Sequence, residues 1–178
     1  MTTTNDRGGP ALSHWLARGR GLFYILAGLI VTLTTLAIGT TLMAGVVVRY
    51  FLGGSLAWGN ELPVILFPWL IMGGVVMAAA RHRHLGVDLV MRRLPPFAAR
   101  TVMALIQLLI ALLMGLLIQQ SRGLLQFMQY QTTPVLSWPA SWAFYSLPLG
   151  AAGVLLLAVM DLIGLLSGVE APTEEASS

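Results

Sequence analysis

The chain has 178 residues, of which 57% are hydrophobic and only 10% charged, with a mean hydropathy of +0.81; these values exclude an ordinary soluble domain and point to a single membrane-embedded one. The basic side of its net charge of +3 is arginine alone, placed at the ends of apolar runs and not along one helix face, which excludes a nucleic-acid surface. With no cysteine there is no disulfide, thiolate metal site or iron–sulfur cluster, and cysteine usage says nothing about redox compartment.

Residues 1–21 form a polar, glycine-rich segment carrying Arg7, Arg18 and Arg20, followed by an uncharged run over 22–48. A secretory signal has an apolar region of about 7–15 residues and a small-residue cleavage site. This run is longer and lacks such a site, so a retained first span is expected. At about 1.5 Å per residue it reaches roughly 40 Å, more than the hydrocarbon thickness, and must tilt or protrude. Arg49, Tyr50 and Phe51 end it, and Gly53, Gly54 and Ser55 give a short link to Trp58, an interfacial aromatic. The first two spans therefore form an antiparallel hairpin.

The second span, 62–80, contains no ionisable side chain, and its length of roughly 28 Å matches a bilayer core. Asn60 is placed to cap it, Glu61 suits the positive end of its dipole, and Pro63 is tolerated in the first turn. Pro68 removes an internal hydrogen bond and is expected to kink the helix. Gly73, Gly74 and Ala78 to Ala80 offer a small-residue surface, on which Gly74 and Ala78, four apart, suit close helix packing. Arg81, His82, Arg83 and His84 close the span at once, followed by Arg92, Arg93 and Arg100.

Residues 85–100 read as a short amphipathic helix lying at the interface, interrupted by Pro95 and Pro96. The third span is 101–121, in which Gln107 is the one deeply placed polar side chain and is expected to make an interhelical hydrogen bond. A connection rich in aromatics and proline follows, and the fourth span occupies 142–166 with Pro148 near its start. Residues 167–178, acidic and without a basic side chain, read as a flexible tail. The expected fold is thus an all-α integral membrane domain over 22–166, with four transmembrane helices plus the interfacial one. An even number of spans puts Arg7, Arg18, Arg20, Arg81, Arg83, Arg92, Arg93 and Arg100 on one side and only Arg49 and Arg122 on the other. Both termini are therefore expected to be cytoplasmic.

Chemistry is sparse. Asp161 is the exceptional acid within a span, and its place near the end of the last one favours a headgroup-level or bundle-facing role over ion coupling. His14, His82 and His84 fall on one side, none opposes another across the bilayer, and a metal would need a further ligand; a contact from His84 to Asp88, one turn on, is the simpler reading. Arg49 and Glu61 bracket the outer hairpin, where they could pair as a register clamp or serve docking of an external partner. No Ser/His/Asp triad, phosphate loop or paired carboxylates stand out, so no catalytic, cofactor or metal residue is assigned and an enzyme is not expected.

Taken in order, these residues resemble the small, Q-type (DctQ-like) membrane subunit of the tripartite ATP-independent periplasmic (TRAP) transporters. Arg49-Tyr50-Phe51 with Leu56, Trp58 and Glu61 is similar to that family's RY(V/F) and W-x-x-E-L hairpin. Gly73, Ala78 to Arg81, His84, Val87 and Asp88 resemble its glycine, small-residue and H-x-x-V-D pattern; Thr133-Pro134, Leu136, Pro139, Tyr145 and Leu147 to Gly150 resemble its T-P-x-L…P…Y-x-L-P-L-G ending. Where the family often has two acids before the second span, this chain has Asn60 then Glu61. The resemblance implies a multi-pass bacterial inner-membrane subunit whose partners are a large M-type transport subunit and an extracytoplasmic substrate-binding protein. It further implies cation-driven symport, usually with sodium, of a small and often organic-acid substrate, with substrate and ion sites on the large subunit. On this reading Arg49 and Glu61 order the outer hairpin, His84 and Asp88 the cytoplasmic turn, and Gly73, Gly74 and Ala78 close helix packing, with Trp58 and Pro148 as further structural or partner-interface candidates. Two other classes stay open on the residues alone: a membrane anchor of a redox complex, which would bind haem or quinone, and an independent small transporter.

Overall fold

The computed structural model describes residues 10–81 and 96–166. Four long helices account for most of them: α1, Pro10–Phe51; α2, Glu61–Ala80; α3, Pro96–Met128; and α4, Ser146–Leu166. All four contain a stretch long and apolar enough to cross a membrane. A short 3₁₀ turn, Ala57–Asn60, leads into α2, and a short helix, Ser141–Phe144, leads into α4.

Helix α1 is longer than its apolar run: 42 residues give roughly 63 Å, about twice a bilayer's hydrocarbon thickness. Its threonines are compatible with an apolar span because their hydroxyls turn back onto the helix. Thr32, Thr35, Thr40 and Thr41 donate to the carbonyls of Gly28, Val31, Leu36 and Ala37 at 2.7–2.8 Å, and Thr34 donates to Ile30 O at 2.6 Å. The helix stops where the Leu52 and Gly54 amides donate to Val48 O and Gly53 takes φ +63°, a conformation glycine adopts without a Cβ penalty.

Three local expectations differ from the structure. Asn60 precedes α2 but its side chain caps nothing; it has a helical backbone because the 3₁₀ turn runs straight into the helix. Residues 96–100, expected to end an interfacial helix, open α3 instead, since Pro96 has a φ suited to a first helical position. The rest of that expected helix, 85–95, lies outside the described residues. Helix α3 also continues past Arg122 to Met128, because a charge ends an apolar span without ending a helix that Arg and Leu favour.

The helices pack in the spatial order α1, α2, α4, α3. Helix α4 therefore lies inside the row and has the largest buried share, while α3 has the smallest. The core is made by Ala27, Val76, Val154 and Leu157, with Phe23, Met77, Ile110 and Met114 packed around it. Glycines set the spacing. A Cβ on Gly150 would stand 2.8 Å from Met72 Cβ, and one on Gly153 3.3 Å from a Val76 methyl, so α2 and α4 approach where α4 has no side chain.

Candidate functional site

The polar side chains that bond one element to another gather at the two ends of the bundle. At one end lie the start of α1, the ends of α2 and α4, and the first turns of α3; the contacts of Arg20 with Asp161, Arg81 with Tyr24 and Gln107 with Asp161 bring them together. At the other end lie Glu61, the loop after α3 and the short helix before α4.

At the first end, Asp161 of α4 is 8% exposed and is shared by two helices. Arg20 of α1 forms an ion pair with its Oδ1, and Gln107 Nε2 of α3 donates to its Oδ2 at 2.8 Å. The expected interhelical bond of Gln107 is present, and its acceptor is the acid that sequence reasoning left without a partner. Met160 covers Gly19 beside this cluster, where a Cβ would meet Met160 Cε at 2.8 Å. Between these side chains a charge-assisted network joins α4 to its neighbour α3 and to α1, which lies beyond α2 in the row.

At the other end, Glu61 does not pair with Arg49 in the described residues. Its Oε1 accepts from Val135 N at 2.8 Å and its Oε2 from Leu136 N at 2.9 Å, so one carboxylate holds two successive amides of a loop 74 residues away. That loop closes on itself. Ala140 N donates to Gln131 O at 2.7 Å, Thr133 N to Trp138 O at 2.9 Å, Ser137 N to Thr133 O at 3.0 Å, and Trp138 N to Thr133 Oγ1 at 3.1 Å, with Ser137 at φ +52°. Trp69 Nε1 of α2 donates to Trp142 O at 3.0 Å, fastening the short helix to the same helix that carries Glu61.

The other sequence candidates separate. Arg49 is exposed in the last turn of α1, where its charge suits the helix dipole. Trp58, 42% exposed, stands on the 3₁₀ turn before Glu61. Gly73 is used internally: a Cβ there would lie 3.0 Å from a Val31 methyl and 3.5 Å from Ala27 O, so α1 and α2 meet at this point. Gly74, one residue on, has nothing within 4 Å of that position, and Ala78 is exposed on the same side. Pro148 occupies the first turn of α4, where its missing N–H costs no helical bond. His84 and Asp88 lie outside the described residues.

Between the ends, an apolar groove of about 260 Å³ opens among α1, α2 and α4, bordered by Phe23, Ile30, Trp69, Met72, Leu149 and Gly150. It offers no charged side chain. No group of three metal-ligating side chains occurs among the described residues. The arrangement can hold helices and a loop in place, and among the described residues it presents no constellation for proton, hydride or group transfer.

These features define a multi-pass, all-α membrane protein whose polar side chains serve helix and loop assembly. The family model described as tripartite ATP-independent periplasmic transporters, DctQ component, matches residues 38–168, and the chain belongs to that family. The family is a transporter component, so the chain is a non-catalytic transport subunit and not an enzyme or a redox anchor. It is 31% identical over 134 residues to the uncharacterized protein y4mM of Sinorhizobium fredii, a match covering 75% of this chain and 24% of that one. It is 31% identical over 75 residues to the C4-dicarboxylate TRAP transporter small permease protein DctQ of Vibrio cholerae, covering 42% of this chain and 32% of that one. A Haemophilus influenzae protein provisionally named a TRAP transporter small permease is 24% identical over 115 residues, covering 65% of this chain and 70% of its own. The chain thus spans only about a quarter to a third of the length of the first two relatives.

Proposed function

We infer that this chain is the small membrane subunit of a TRAP-type secondary transporter, where it braces a large M-type subunit during cation-coupled uptake of a small organic acid delivered by an extracytoplasmic binding protein. The observation that carries this reading is the separation of charge: Arg20 and Asp161 sit at one end, Glu61 at the other, and the groove between them has apolar walls. A coupling site needs replacement ligands for a dehydrated ion near mid-membrane, and a brace does not. Family membership supports the division of labour, and the dicarboxylate named for the Vibrio cholerae relative supports an organic acid as cargo. Sodium is the coupling ion on this reading.

The arginine bias supports a bacterial inner-membrane placement with both termini in the cytoplasm, so that Arg20 and Asp161 lie at the cytoplasmic end and Glu61 at the outer one. Arg49, Trp58 and the loop held by Glu61 then form the surface on which the binding protein docks, while His84 and Asp88 order the cytoplasmic turn. Reconstitution into proteoliposomes tests the assignment. Uptake of a labelled C4-dicarboxylate is expected only when this chain, the large subunit and the binding protein are all present and a sodium gradient is applied. Uptake by this chain alone, or full uptake without it, overturns the reading.

A further inference from the structure

We propose that the surface shared by Tyr24, Gly28, Gly74, Ala78 and Arg81 is a binding site for one anionic phospholipid, with the phosphate held by Arg81 and an acyl chain lying along the glycines. Arg81 directly follows α2, at the end of a 24-residue apolar stretch, which sets its guanidinium where the hydrocarbon gives way to headgroups. It is exposed, yet it is held. Its Nη2 donates to the Tyr24 hydroxyl, and its Cζ stands over the Tyr24 ring, 4.7 Å from the centroid. Two contacts to one rigid side chain fix the plane of the guanidinium while leaving most of its five N–H donors for another acceptor.

Among the described residues the charge is uncompensated: no carboxylate pairs with Arg81, and the acid at this end, Asp161, is engaged by Arg20 and Gln107. A phosphodiester is the anion every bilayer supplies at that depth, and it matches a guanidinium in two parallel hydrogen bonds. A net anionic headgroup adds the complementary charge that a zwitterionic one lacks.

The strip beyond Arg81 suits a chain. Gly74, Ala78 and Arg81 recur at four and three residues and so share one side of α2; Tyr24 and Gly28, four apart, share the facing side of α1. A Cβ on Gly74 would meet nothing within 4 Å, and one on Gly28 only Met77 Sδ at 3.9 Å, so no neighbouring side chain covers either glycine. It lies across the α1–α2 pair from the apolar groove, whose α2 wall is Trp69, Met72, Gly73 and Val76.

The test uses the full chain purified in mild detergent, supplemented with phosphatidylglycerol or phosphatidylcholine, and native mass spectrometry to count retained lipids. The wild type is expected to retain one phosphatidylglycerol. Arg81→Gln should retain it about tenfold less, the loss of one charge-assisted contact, with Arg81→Lys intermediate. Gly74→Leu should lose retention with Arg81 intact, and an unchanged circular-dichroism spectrum of Arg81→Gln shows that folding is not the cause. Equal retention by wild type, Arg81→Gln and Gly74→Leu overturns the proposal. So does release by millimolar inorganic phosphate, which identifies a free-phosphate site, or co-purification in which Arg81→Gln loses the large subunit but keeps the lipid.

Discussion

The side-chain amide of Gln107 donates to Asp161 Oδ2 across the α3–α4 contact at 2.8 Å, in a buried setting, while the other carboxylate oxygen holds Arg20 of α1. One acid thereby bonds its neighbour α3 and also α1, which lies beyond α2 in the row. Desolvated charge at a membrane boundary is costly unless paired, so the Arg20 and Asp161 charges depend on each other.

Asp161→Ala should destabilise the helix assembly by about 3 kcal/mol, because it strands the Arg20 guanidinium beside the core. The double variant Arg20→Met with Asp161→Leu should recover most of that loss. Thermal unfolding in detergent, followed by circular dichroism, checks both; a double variant as unstable as Asp161→Ala would show that packing and not charge sets the loss.

Gln107→Leu removes a single donor and leaves the Arg20–Asp161 pair in place. Its expected cost is about 1 kcal/mol, in line with interhelical hydrogen bonds in membranes. A double-mutant cycle with Asp161→Ala should return a coupling of the same size, measured by the same unfolding transition.

Glu61→Ala should release the Val135 and Leu136 amides while the loop's own bonds to Thr133 and Gln131 persist. Hydrogen exchange by mass spectrometry should show peptides over 131–140 exchanging at least tenfold faster, with the helices unchanged. Glu61→Gln keeps one acceptor oxygen and should fall between the two.

The adjacent glycines of α2 should respond differently. Gly73→Leu drives a side chain into Val31 and the Ala27 carbonyl, and Gly150→Leu drives one into Met72; each should cost about 2 kcal/mol or more. Gly74→Ala meets nothing within 4 Å and should be neutral or slightly stabilising through its helix propensity. Parallel melting curves of the three variants decide the matter.

That the chain folds into helices, four of them long and apolar enough to cross a membrane, was legible in the sequence, because hydropathy is a local sum over about 20 residues. The motifs from Arg49 to Gly150 carried the family for the same reason: they mark helix ends and turns, which are local events. Tertiary structure alone decided which residues meet around the helix axes. Gly73 and Gly74 are neighbours in sequence but about 100° apart around α2, so one packs on α1 and the other faces outward. Arg20 and Asp161 are 141 residues apart, and nothing local says that α4, last in the chain, sits inside the row where α1 and α3 can both reach its acid. Glu61 likewise suited Arg49 by proximity along the hairpin, whereas the folded loop offers two amides that converge on both carboxylate oxygens at once. Hydropathy is written residue by residue, but azimuth and partner emerge only when four helices choose the order in which they pack.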